Sequence, residues 1–224
     1  MRTRVKICGI TRVEDGIAAA RAGADAIGLV FWSGTPRCVS LEQARAITRT
    51  GPVFVTIVGL FVDPTLEAVT SALAAVPLDV LQFHGSEPAD FCASFARPYI
   101  KAVPVKPGVD LLQYASRYGD AQGLIFDAFE PGGLPGGTGK TFDWRELPGA
   151  LQRPLILSGG LTPQNGAAAI RTARPRAVDD SSGVARTDDA GRSRNGTRTA
   201  AKKACVSRSA RHAVDGRAGL RPHA

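Results

Sequence analysis

The stretch "RVKICGITR" (4–12) decides between two α/β architectures. Its first five residues read as a β-strand, and a first strand of an open, doubly wound sheet would normally run into a glycine-rich turn of the form GxGxxG. Only one glycine, Gly9, follows it here. Seven further strand candidates come after at intervals of about 20 to 30 residues: "DAIGLVF" (25–31), "FVTIVGLFV" (54–62), "DVLQF" (79–83), "YIKAV" (99–103), "GLIFD" (123–127), "PLILS" (154–158) and "RAVD" (176–179). Most are too apolar to have one wet face, as expected of parallel strands covered by helices. Eight strands alternating with helices is the count that closes a (β/α)8, or TIM, barrel, and this is the fold class the sequence predicts.

Helical patterns fill the intervals: "VEDGIAAARAG", "SLEQARAITRT", "PTLEAVTSALAAV", "EPADFCASFA", "GVDLLQYASRYG", the short "FDWREL" and "TPQNGAAAIRTA". Ser40 with Gln43, and Asp63 followed by Pro64 and Glu67, read as helix starts, and Gly23 and Gly51 as stops. With 224 residues, 44% of them hydrophobic, one large domain with a real core is expected. The amino terminus carries no apolar run like a signal peptide, and no segment reaches the roughly 18 apolar residues needed to span a bilayer, so a cytoplasmic location and no membrane partner are expected. The four cysteines, Cys8, Cys38, Cys92 and Cys205, form no CxxC pair and read as thiols rather than a disulfide framework or a zinc site.

In a barrel of this kind the chemistry lies at the carboxyl ends of the strands. Reading those ends gives Cys8 after strand one, Arg37 after strand two, His84 after strand four and Asp127 ending strand six. Gly159 and Gly160 follow strand seven, and Asp179 with Ser181, Ser182 and Gly183 follows strand eight. Each has a plainer alternative: Cys8 as a small core residue, His84 as partner of a backbone carbonyl, Asp127 as a loop cap. The glycine pair and the "SSG" turn occupy the two loops where barrels commonly hold a phosphate on backbone N–H groups, which predicts a phosphorylated small-molecule substrate. The segment "EPGGLPGGTGKTFDW" (130–144) is no P-loop, because GxxxxGK[ST] would need glycine where Leu134 stands. It reads instead as a glycine-rich loop over the barrel mouth.

These segments resemble one family, the phosphoribosylanthranilate isomerases of tryptophan biosynthesis. The resemblance rests on "KICGIT" (6–11), "GLVF" with "TPRCV" (28–39), "VGLFV" (58–62), "QFHG" (82–85), "FDAF" (126–129), "GGTGKTFDW" (136–144), "LSGGLTPQN" (157–165) and "VDDSSGV" (178–184), in the family's order. It implies an Amadori rearrangement that needs no cofactor and no metal. Asp127 would be the acid that opens the sugar ring and Cys8 the base that takes a proton from sugar C2. On this reading the Cys8 thiol should be shifted downward and the Asp127 carboxyl upward. Arg37 would face the anthranilate carboxylate, His84 and Asp179 the sugar or the aromatic amine, and Gly159, Gly160, Ser181, Ser182 and Gly183 the phosphate. A monomer is the expected state, with a dimer as the alternative.

The resemblance ends at Val184. Residues 185–224 hold ten Lys and Arg against three Asp, which accounts for seven of the eight net positive charges, and their only large aliphatics are Val206, Val214 and Leu220. No apolar stripe exists for the helix that should close the ring, so 1–184 reads as the catalytic barrel and 185–224 as a basic, disordered tail in place of the last helix. Asp180 stands where the resemblance predicts an apolar residue. Two other functions compete: an inactive relative of the isomerases, or a nucleic-acid-binding protein acting through the tail. The tail has no aromatic residue to stack on bases, so no specific nucleic-acid partner is expected.

Overall fold

A computed structural model of the chain describes residues 2–51, 53–128, 141–149 and 151–181, together with the backbone of 186–187 and 193–194. Eight parallel strands alternate with helices: β1 (Arg4–Ile7), α1 (Val13–Arg21), β2 (Ala26–Val30), α2 (Leu41–Arg49), β3 (Thr56–Phe61), α3 (Leu66–Ala75), β4 (Val80–Phe83), α4 (Ala89–Ala93), β5 (Tyr99–Val105), α5 (Leu111–Ser116), β6 (Gly123–Ala128), β7 (Leu155–Leu157), α6 (Gly166–Ala173) and β8 (Ala177–Asp180). Each strand pairs with the next, and β8 returns to β1 with Arg4 opposite Ala177 and Ile7 opposite Asp180, so the sheet is a closed barrel as predicted. The expected helix "FDWREL" is a single 3-10 turn, Trp144–Glu146, capped by the Asp143 carboxylate on Arg145 N–H.

Alternation along the strands separates two environments. One set of side chains, including Ile7, Leu29, Phe61, Phe83, Leu124, Phe126 and Leu157, packs in the large core between sheet and helices. The other set points into the barrel, where Val58, Ile100 and Ile125 form one buried cluster and Cys8, Val30 and Leu60 another. Both faces are therefore dry, which is why the strands read as nearly continuous apolar runs. Asp180 falls in the outward set beside Ile7 and is buried, so the carboxylate faces packed structure rather than solvent.

The predicted helix signals fare unevenly. Ser40 and Gln43 make a full capping box on α2, and Gly23 turns the chain after α1 at φ +90°. Asp63 does not start α3. Thr65 does, accepting from Ala68 N–H, while Asp63 sits at φ +43° and its carboxylate accepts from Ser86 N–H at 2.6 Å. Asp63 thus joins two neighbouring loops at the barrel mouth. Beyond β8, the backbone of Arg186–Thr187 pairs antiparallel with Ser193–Arg194. The rest of the predicted tail, with Cys205, lies outside the described residues. Among the described residues no helix is long and apolar enough to cross a membrane.

Candidate active site

The site is built from adjacent inward positions on strands at opposite ends of the sequence. Lys6 and Cys8 lie two residues apart on and just after β1, so both point into the barrel. Lys6 Nζ reaches Asp179 of β8 at 2.8 and 2.9 Å, in an ion pair whose side chains are only 6% and 5% exposed. Burial works against the Lys6 charge, but Asp179 and then Cys8 outweigh it and hold the ammonium above its ordinary range. Space for this group comes from Gly28 on β2, where a methyl would lie 2.8 Å from Cys8 Sγ.

Lys6 is concealed in the sequence by the apolar strand that carries it. The available signal was a lysine at the centre of "VKIC", two residues before a candidate base: a charge buried there needs a partner. Lys6→Met leaves the buried Asp179 carboxylate without its cation and is expected to lower the unfolding free energy by about 3–5 kcal/mol in a denaturant titration. Lys6→Met combined with Asp179→Leu removes the pair as a unit and is expected to recover most of that loss.

The expected downward shift of Cys8 is not found. Burial is the largest influence and pushes the thiol up, and Asp179 adds to it; Lys6 and Arg37 pull the other way without prevailing. A sequence shows which cations are near but not how dry the site is, and dryness wins here. Asp179 is likewise pushed up by burial, against Lys6, and it feels both Asp127 and His84.

His84 follows β4 and Asp127 lies near the end of β6, and the structure brings them together with His84 Nε2 3.0 Å from Asp127 Oδ2. The other ring nitrogen, Nδ1, lies 3.0 Å from Nε2 of Gln82, a residue likewise concealed inside an apolar run. The loop carrying His84 is fixed from below. Glu87 accepts from the backbone N–H groups of Asp63 and Gly85, and buried Lys101 pairs with Glu87 at 3.1 Å while donating to the Gly85 carbonyl at 2.7 Å.

Gly159 and Gly160 turn the chain after β7 at φ +88° and +59°. At Gly159 an added methyl would also lie 2.8 Å from Ala128 N and 3.1 Å from Asp127 Oδ1, so the turn presses against the carboxyl it borders. Asn165 secures the turn, donating from Nδ2 to the Gly160 carbonyl at 2.8 Å while its Oδ1 accepts from Thr162 N–H.

Arg37 Nη1 donates to Ser181 Oγ at 2.5 Å, and that hydroxyl donates to the Cys8 carbonyl at 3.2 Å. The structure thus places two residues assigned to opposite ends of the substrate side by side. Ser182, Gly183 and residues 130–140 of the predicted mouth loop lie outside the described residues. What the described residues assemble is a thiol beside a lysine and a carboxyl held by an imidazole. An arginine and a glycine turn complete the barrel's carboxyl-terminal mouth.

The family model for N-(5'-phosphoribosyl)anthranilate (PRA) isomerase matches residues 5–189. The chain belongs to this isomerase family. The PRA isomerase of Thiobacillus denitrificans is 57% identical over 185 residues, which span 82% of this chain and 89% of that protein. The PRA isomerase of Alcanivorax borkumensis is 55% identical over 181 residues, 81% of this chain and 83% of its own length. Among solved structures, the isomerase from Thermotoga maritima is 35% identical and superposes with a TM-score of 0.81 over 92% of this chain and 98% of that one. Another family structure, 34% identical with a TM-score of 0.75 over 92% of this chain and 98% of its own, was solved in complex with reduced 1-(o-carboxyphenylamino)-1-deoxyribulose 5-phosphate.

Proposed function

We propose that this PRA isomerase family member converts N-(5-phospho-β-D-ribosyl)anthranilate into 1-(2-carboxyphenylamino)-1-deoxy-D-ribulose 5-phosphate, a step of tryptophan biosynthesis carried out in the cytoplasm. Residues 1–184 form the catalytic unit. The observation that carries the reading is the pairing, at one barrel mouth, of a thiol flanked by Lys6 with a carboxyl contacted by His84.

The reaction divides between them. Asp127 donates a proton to the ring oxygen as the C1–O bond breaks, and the anthranilate nitrogen lone pair moves in to form an open-chain iminium. Cys8, as thiolate, then removes the proton on C2, and those electrons form the C1–C2 double bond while the nitrogen regains its pair. The resulting enolamine gives its hydroxyl proton to the Asp127 carboxylate and takes up at C1 the proton held by Cys8, which yields the ketone and returns both groups to their starting states, so atoms and charge balance without an external oxidant. Lys6 and Arg37 both favour the thiolate, which lets a dry site still use it.

Recognition follows the two anionic ends of the substrate. Arg37 offers a planar, permanently charged fork for the carboxylate. The turn at Gly159 and Gly160, with Ser181 and, beyond the described residues, Ser182 and Gly183, offers backbone N–H groups for the phosphate. His84 and Asp179 border the sugar from opposite sides of the mouth. The test is direct: incubate the purified full chain with freshly prepared phosphoribosylanthranilate and follow both compounds by chromatography, with a circular-dichroism melt on the same sample. Turnover alongside a cooperative melt is expected. A cooperatively folded chain without turnover rejects the proposal.

A further inference from the structure

Gln82 is the least expected polar side chain in the barrel. It lies on β4 between Leu60 of β3 and Ile100 of β5, is fully buried, and shares its inward face with His84 two residues on. Its Nε2 is 3.0 Å from His84 Nδ1, whereas its Oε1 has no hydrogen-bond partner among the described residues. An apolar residue would fill this place at lower cost, so the amide needs a reason to be there.

We propose that Gln82 is a positioning residue that sets the tautomer of His84. Its amide donates to Nδ1, so the single proton of the neutral ring sits on Nε2 and is donated to Asp127 Oδ2. The carboxyl proton is thereby placed on Oδ1, the oxygen beside the Gly159 turn, where it is available to the sugar ring. The reverse orientation of the amide puts both N–H groups in the place Oε1 now occupies, and buried N–H groups without partners are rarer than under-used carbonyl oxygens. It also makes Nε2 an acceptor that draws the acid proton of Asp127 away from the substrate. In so dry a site one hydrogen bond is enough to choose between the two rings.

This inference rests on the acid role proposed for Asp127, but its first readout needs no substrate. The chain has three histidines, His84, His212 and His223, so two-bond proton–nitrogen NMR spectra of the full chain at pH 8 resolve the His84 ring, identified by its loss in His84→Asn. A pyrrole-type Nε2 and a pyridine-type Nδ1 are expected. Gln82→Met, similar in length but without a donor, is expected to populate the other tautomer and to lower kcat about tenfold or more, with KM within about threefold of wild type. A wild-type ring protonated on Nδ1, an unchanged tautomer in Gln82→Met, or an unchanged kcat overturns the proposal. Should Gln82→Met fail to fold, the wild-type spectrum decides alone. Absence of turnover in the wild type overturns the isomerase reading and leaves the tautomer result standing.

Discussion

Cys8→Ala is expected to lower kcat by at least about a hundredfold, the lower end of what a positioned base contributes, while the protein melts as the wild type does. The side chain is buried and small, so its loss leaves the barrel closed. Wild-type-like turnover by the purified variant removes Cys8 from the mechanism. The pH dependence supplies a second readout. Burial holds the thiol above its ordinary range in the substrate-free protein, so at neutral pH only a small fraction is thiolate. With a base of raised pKa, kcat/KM is expected to climb about tenfold per pH unit through neutral and mildly alkaline pH before it levels off. Lys6→Met removes a cation that favours the thiolate, so in that variant the climb extends to higher pH. A flat profile from pH 6 to 9 rejects the assignment.

Asp127→Asn is expected to cost at least about a hundredfold in kcat as well, for a different reason. The amide keeps the shape of the carboxyl and can still accept the bond from His84, but it has no proton to give to a leaving ring oxygen. Binding should survive, because Arg37 and the glycine turn are untouched. A reduced product analogue of the kind bound in the family structure is therefore expected to retain a Kd within about threefold of wild type. Turnover within tenfold of wild type rejects Asp127 as the acid, and loss of analogue binding assigns it to recognition instead.

Much of this site was legible because strand ends are conspicuous. Cys8, His84 and Asp127 are polar residues at the exits of apolar runs, and barrel geometry turns such exits into one mouth. Lys6 and Gln82 were missed because they sit inside the runs. Counting in twos from Cys8 and His84 would have found both, since inward positions repeat with period two. The sign of the Cys8 shift was not legible in the same way, because it depends on weighing desolvation and the sequence-distant Asp179 against two cations, Lys6 of β1 and Arg37 of the loop after β2. Asp63 misled for a related reason. Asp-Pro before a helical run is a helix-start pattern, yet the carboxylate is claimed by Ser86 N–H from the next loop but one, a partner that local sequence does not show. Ser181 was assigned by its backbone amide, and its hydroxyl proved to bridge Arg37 and the Cys8 carbonyl.

The pairing of Lys6 with Asp179 spans 173 residues of chain, between the first strand and the last. During synthesis at about 5–20 residues per second, Lys6 therefore waits roughly 10–35 s for its counter-ion to be made. Until then Cys8 has no neighbouring ion pair, and the ring of strands has no seam. A partly made or partly refolded chain thus lacks the closed mouth in which Cys8 and Asp127 can face one substrate. The recovery of turnover on refolding is a clock for the sealing of the barrel, and no earlier stage of assembly can register on it.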